Sequence, residues 1–97
     1  MVMEEETIRV RTPRGGEILG TVIEMLGASR FRVEGYDGHE RICRIPGKLK
    51  RKVLVKIGDV ILFRPWDVQP TERGDIIWRY KPAQINWLSK KGFLDRK

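Results

Sequence analysis

Among its 97 residues the chain has one cysteine, Cys43, and one histidine, His39. A lone cysteine excludes an intramolecular disulfide and fits a reducing, cytoplasmic compartment. The two residues stand four positions apart. On a strand they would share a face yet lie about 13 Å from each other, beyond a common metal ion. Side-chain amides are scarce (Gln69, Gln84 and Asn86) while Lys, Arg and Glu abound, the balance of a heat-adapted protein. No run approaches the roughly 18 apolar residues of a membrane-spanning helix. The opening MVMEEETIRVRT lacks the apolar core of a signal peptide. A phosphate-binding loop around Gly47-Lys48 would need glycine at position 42 and serine or threonine at 49, where Ile42 and Leu49 stand. The carboxylates Asp37, Asp59, Asp67 and Asp75 all fall in expected turns, where aspartate has a local structural task. With no nucleophile–base pair in view, the expectation is a binding protein without enzymatic activity, metal or cofactor.

What the chain does have is positive charge, 20 Lys and Arg against 13 Asp and Glu, for a net +7. Six of these cations crowd into Arg41–Lys52, RICRIPGKLKRK: Arg41, Arg44, Lys48, Lys50, Arg51 and Lys52, with no acidic residue between them. Ile42, Cys43, Ile45 and Leu49 alternate with the charges, so the segment is not a low-complexity tail. Strand-like sequence flanks it on both sides. A basic segment held between ordered strands keeps its charges in fixed positions, and the commonest target for such an array is a phosphate backbone. A merely solvated basic face is the plain alternative.

The pattern from Glu17 onward is β. EILGTVIEMLG reads as a long first strand, with Gly20 marking a bulge or corner. Gly27-Ala28 turns the chain into RFRVEG, where Phe31 and Val33 share one face and Arg30 and Arg32 the other. Asp37-Gly38 between alternating runs signals a hairpin into HERICRI, stopped by Pro46-Gly47. KLKRK reads as an irregular or single-turn segment, and Val53–Lys56 as a short extended piece. VILFRP forms the fourth strand, and DIIWRYK the fifth, with Ile76, Trp78 and Tyr80 expected on one face. Pro82 opens a helix, PAQINWLSKK, closed by lysines and Gly92. One long bent strand, four shorter ones and a break after the third describe an all-β, five-stranded OB-fold barrel (S1-like) with a C-terminal helix. A five-stranded SH3-like barrel fits the strand count as well. Residues 1–16 are expected as a flexible N-terminal arm, 17–81 as the barrel, and 82–97 as the helix and tail.

Three pieces of the chain carry a resemblance: LGASRFRVEG, the basic run Gly47–Lys52, and GDIIWRYK. In this order they resemble the translation initiation factor 1A family, the archaeal and eukaryotic counterpart of bacterial initiation factor 1, over Glu17 to about Lys81. The small size and C-terminal helix suit its archaeal branch. The resemblance implies an OB barrel that sits in the decoding A site of the small ribosomal subunit. It implies contacts there with ribosomal RNA and a neighbouring ribosomal protein. It also implies help to initiator tRNA and messenger at the start codon, alongside a translational GTPase. Eukaryotic members carry a long acidic C-terminal tail; this chain ends in FLDRK, so any GTPase contact falls to the helix or the last residues.

The expected RNA-binding residues are therefore Arg30, Arg32, Arg41, Arg44, Lys48, Lys50, Arg51, Lys52, Arg64 and Trp66, on a monomeric, cytoplasmic protein that meets no membrane. Each cation can neutralise a phosphate, and arginine can also grip it bidentately or stack on a base. Trp66, after Pro65 at the mouth of a polar loop, either presents its ring to a partner or seals the barrel end. Phe31, Phe63 and Trp78 are assigned to the core, and Tyr36 at the hairpin tip is open. The rival is a general single-strand RNA binder or chaperone of the cold-shock or S1 type. Such proteins need a strip of exposed aromatics on strands two and three, where this chain offers mainly Phe31 and Tyr36.

Overall fold

The computed structural model describes residues 10–50 and 53–94. In these residues the strands are β1 (Ile18–Gly27), β2 (Arg30–Gly35), β3 (Glu40–Arg44), β4 (Val60–Pro65) and β5 (Arg73–Arg79), followed by helix α1 (Pro82–Lys90). They close into a barrel in the order β1-β2-β3-β5-β4. Every pairing is antiparallel except β3 with β5, which is parallel. A parallel contact requires a crossover. It includes the 3-10 turn Gly47–Leu49 and, outside the sheet, the stretch in which Val53 and Val55 are buried and Leu54 and Lys56 exposed, the alternation of a short extended piece. This is the OB-type Greek-key barrel rather than the SH3-like alternative.

Strand alternation sets the interior. Val22, Phe31, Val33, Cys43, Ile61 and Phe63 point inward and are nearly or wholly excluded from solvent. The unbroken apolar run VILF in β4 is buried on both faces. Ile61 and Phe63 fill the barrel, while Val60 and Leu62 face a second cluster with Leu19, Tyr80 and Leu88 of α1. The helix therefore covers the end of β4 around Val60. Its own end is a Schellman motif: Phe93 N–H donates to the Leu88 carbonyl and Gly92 N–H to that of Ser89, with Gly92 at φ +82°. The Cys43 thiol is pushed up to about 12 by burial, so it stays protonated and inert at neutral pH.

The bulges of β1 lie elsewhere than Gly20: its register skips Ile23, between Val22 and Glu24, and Leu26, between Met25 and Gly27. Gly20 instead stands at the corner, paired with both Gly35 of β2 and Ile61 of β4. Gly20 is needed for space: a Cβ there would lie 2.6 Å from Val33 Cγ1 and 3.0 Å from Phe63 Cε1. Gly20→Ala is expected to cost about 1–3 kcal/mol. That is a fall of roughly 4–8 °C in thermal midpoint per kcal/mol for a domain of this size, measurable by calorimetry.

The segment expected as an arm divides in two. Its first nine residues fall outside those described. Residues 10–16 lie against the barrel, with Val10 packed on the second cluster and the Tyr80 hydroxyl donating to the Arg11 carbonyl. Burial pushes that hydroxyl up to about 12, so it remains a donor across the physiological range. A tight turn at Gly15 (φ +53°) and Gly16 (φ +88°) then feeds Glu17 into β1.

Candidate nucleic-acid interface

Outward-facing residues alternate with the core positions just named, and the strand registers line them up across the barrel. Arg30 of β2 stands opposite Arg44 of β3; Arg44 stands opposite Asp75 of β5; Asp75 stands opposite Arg64 of β4. With strands about 4.8 Å apart, this row carries three arginines across roughly 14 Å. Arg30 leaves a two-residue hairpin turn, Ala28-Ser29, whose φ values of +53° and +59° are those of a type I′ turn.

The row is held by polar contacts. Arg44 Nε donates to Asp75 Oδ1 at 3.1 Å, and Trp66 Nε1 donates to the same oxygen at 2.9 Å. The Arg44 guanidinium lies 5.0 Å from the centre of the Trp66 ring. At the other end, Arg64 pairs with Glu17 at 2.9 Å, and Arg11 approaches the same Glu17 oxygen at 3.6 Å. Glu17 is almost buried, whereas the Arg44 and Arg64 side chains are 57% and 59% exposed, so the cations stay open to a partner. Shallow clefts join them. One runs past Arg30, Arg44, Pro46 and Lys50, a second past Arg11, Lys48, Leu49 and Arg64, and a third connects Arg44 to Arg64 across Trp66 and Asp75. Among the described residues no group of three His, Cys, Asp or Glu side chains comes together as a metal site.

Residues 5–97 match the family model described as Translation initiation factor 1A / IF-1. The chain belongs to this family. It is 56% identical over 92 residues to translation initiation factor 1A of Methanococcus aeolicus, covering 93% of this chain and 88% of the relative. It is 46% identical to that of Archaeoglobus fulgidus, covering 97% and 98%. Among solved structures, translation initiation factor 1 from the Wolbachia endosymbiont of Brugia malayi superposes with a TM-score of 0.55 at 35% identity, over 75% of this chain and 86% of the other. YjeQ from Thermotoga maritima shares the fold alone, with a TM-score of 0.54 at 21% identity over 67% of this chain and 23% of its own.

For this member of the initiation factor 1A family, the structure brings together Arg30, Arg44, Lys48, Lys50, Arg64 and Trp66. Arg51 and Lys52 lie outside the described residues. Arg32 is set apart on β2, bonded to Glu24 at 2.8 Å with Glu40 at 3.8 Å. Arg41 is the correction. Only 3% exposed, it points inward, bidentate to Asp37 at 2.9 and 2.7 Å, with its Nε on the Pro70 carbonyl at 2.6 Å. Its guanidinium lies 5.0 Å from the Phe63 ring centre. Strand alternation explains this, because Arg41 shares the face of Cys43. It ties the β2–β3 hairpin to the loop before β5 and offers no charge to a ligand.

Two participants, Asp75 and Arg73, were missed, while Arg11 is one of the arm arginines for which the sequence leaves nucleic-acid contact and a solvated tail equally open. Arg11 reaches the wall from the docked segment, its guanidinium 5.9 Å from the Trp78 ring. Asp75, expected at the turn where DIIWRYK begins, sits inside β5, which starts two residues earlier at Arg73. Arg73 shares Asp75's outward face, opposite Ile42. Trp78 is 38% exposed rather than core, because the β4–β5 register slips between Leu62 and Phe63, skipping Ile77. Tyr36 is half-buried against the second cluster, and Trp66 is fixed beside Arg44.

Proposed function

We propose that this chain acts in translation initiation by binding the small ribosomal subunit at the decoding A site through ribosomal RNA. There it promotes the positioning of initiator tRNA and messenger at the start codon. The observation that carries this reading is the registered arginine row, flanked by Lys48 and Lys50, on a member of the Translation initiation factor 1A / IF-1 family. Cations fixed on a rigid sheet gain all their phosphate contacts at once on a folded RNA surface that matches them. A flexible strand must first be ordered along them at an entropic cost. The outward faces of β2 and β3 carry Arg30, Arg32, Glu34, Glu40, Ile42 and Arg44, with Phe31 buried, so the aromatic strip of a general single-strand binder has no counterpart there.

The protein works as a cytoplasmic monomer beside a ribosomal protein at the A site and a translational GTPase. A surface for such a partner is offered by α1 and the turn after it, where Trp87 and Phe93 stack at 6.1 Å with Lys91 over the Trp87 ring. Among the described residues no helix is long and apolar enough to cross a membrane. With a Cα radius of gyration of 13.6 Å and a shortest extent of 23 Å, the molecule is at least as wide as a nucleic-acid stem. Bound at the A site, it should therefore exclude an A-site anticodon stem-loop from programmed small subunits. Mutual competition is the expected result, with affinity for subunits exceeding that for short single strands by several orders of magnitude. Simultaneous, independent binding would contradict the placement, and equally tight binding to random oligonucleotides would favour the chaperone reading.

A further inference from the structure

Asp75 is a carboxylate inside the arginine row, and on charge alone it should weaken any contact with RNA. Its geometry argues otherwise. A single oxygen, Oδ1, receives both Arg44 Nε at 3.1 Å and Trp66 Nε1 at 2.9 Å. Those two groups come from different parts of the chain, the end of β3 and the loop after β4. With both anchored on one atom, the guanidinium is laid over the indole ring at 5.0 Å. Without that anchor Arg44 is a long exposed side chain with many rotamers, and Trp66 begins a loop. Asp75 itself is fixed by its place in β5, between Arg44 and Arg64 in register, with Gly74 beside it packed against Phe63.

We infer that Asp75 is a positioning residue for RNA binding: it holds Arg44 and Trp66 as one preorganised surface, and this outweighs its unfavourable charge. The inference rests on the proposed binding of the small subunit through this face. Ordering two side chains in advance removes an entropic cost that binding would otherwise bear. An asparagine at this position keeps an oxygen in the place of Oδ1, able to accept both hydrogen bonds, while it removes the negative charge. An alanine removes the charge and the anchor together. The two replacements change net charge equally, so any difference between them reports the anchor.

The test measures the affinity of the full-length wild type, Asp75→Asn and Asp75→Ala for purified small ribosomal subunits over a range of salt concentrations. Asp75→Asn is expected to bind at least as tightly as wild type. Asp75→Ala is expected to bind about tenfold more weakly than Asp75→Asn, and more weakly than wild type, despite its gain in net positive charge. In an Arg44→Ala background the difference between the Asn and Ala variants should largely vanish, an outcome that a general loss of fold stability would not produce. Equal affinities for the two variants, or tighter binding by both, overturn the inference while wild-type binding leaves the proposed function standing. If the wild type itself fails to bind small subunits, the proposed function falls and the inference with it.

Discussion

Replacing Arg44, Lys48, Lys50 and Arg64 together with alanine is expected to weaken binding to small ribosomal subunits by on the order of a hundredfold or more near physiological salt. Each phosphate contact contributes close to one unit to the slope of log affinity against log salt, so loss of four should flatten that slope by about three. The fold should tolerate the change. Lys48 and Lys50 are exposed, the Arg44–Asp75 pair is open to solvent and worth about 0–1 kcal/mol, and Arg64 is more than half exposed although its partner Glu17 is almost buried. Glu17 also keeps the Arg14 N–H at 3.1 Å and the nearby Arg11. A large loss of affinity with a nearly unchanged unfolding temperature is therefore the expected pair of results. Parallel losses in both would assign these residues to stability instead.

Arg41→Ala should do the reverse, with a loss of stability of about 1–3 kcal/mol, because buried Arg41 is lost while the Asp37 left behind is open to water. The substitution removes three hydrogen bonds, frees the Pro70 carbonyl, and leaves the Asp37 carboxylate without its partner at the barrel's end. Gly35 shows how tight this corner is, since a Cβ there would lie 2.5 Å from Asp37 Oδ1 and 2.9 Å from Arg41 Nη1. The hydrogen bond from Arg41 holds the Asp37 carboxyl below its ordinary range. A depressed folded-state value means that the pair's contribution is fully present above the unfolded value, near pH 4, and drains away as pH falls through the lower folded value. Asp37→Asn should accordingly make stability less steep in acid below about pH 4. Chemical denaturation from pH 2 to 7 checks both variants, and an Arg41→Ala protein as stable as wild type would contradict the structural role of buried Arg41.

Much of this fold was legible because alternation and turn chemistry act locally. The inward set Phe31, Val33, Cys43, Ile61 and Phe63 follows from a period of two. The hairpin at Asp37-Gly38 and the helix between Pro82 and Gly92 follow from residues with strong backbone preferences. The same alternation also marked Arg41 as inward, on the face of Cys43 and Ile45, but the density of positive charge around it pointed outward. What escaped depends on long-range pairing. A register slip at Ile77 turns Trp78 outward, and no pattern within DIIWRYK announces it. Asp75 gains its role only when β5 lies parallel to β3 and brings it opposite Arg44, two distant stretches meeting through a crossover. Arg11 stayed open between nucleic-acid contact and a solvated tail for the same reason, because its segment has little apolar pattern and docks through residues far along the chain, Tyr80 and Trp78.

The most direct measurement of the central claim is hydroxyl-radical probing from a cleavage reagent tethered at chosen positions while the protein is bound to small ribosomal subunits. The inertness of buried Cys43 lets a single introduced cysteine be labelled without replacing the native one. Lys48→Cys places the reagent on the basic wall. Asn86→Cys places it on the exposed side of α1, which covers the opposite end of β4. Strong, localised cleavage of decoding-site RNA from position 48, and weak or displaced cleavage from position 86, is the result expected here. Strong cleavage at the decoding site from position 86 with none from position 48 would mean that the arginine row faces away from the RNA.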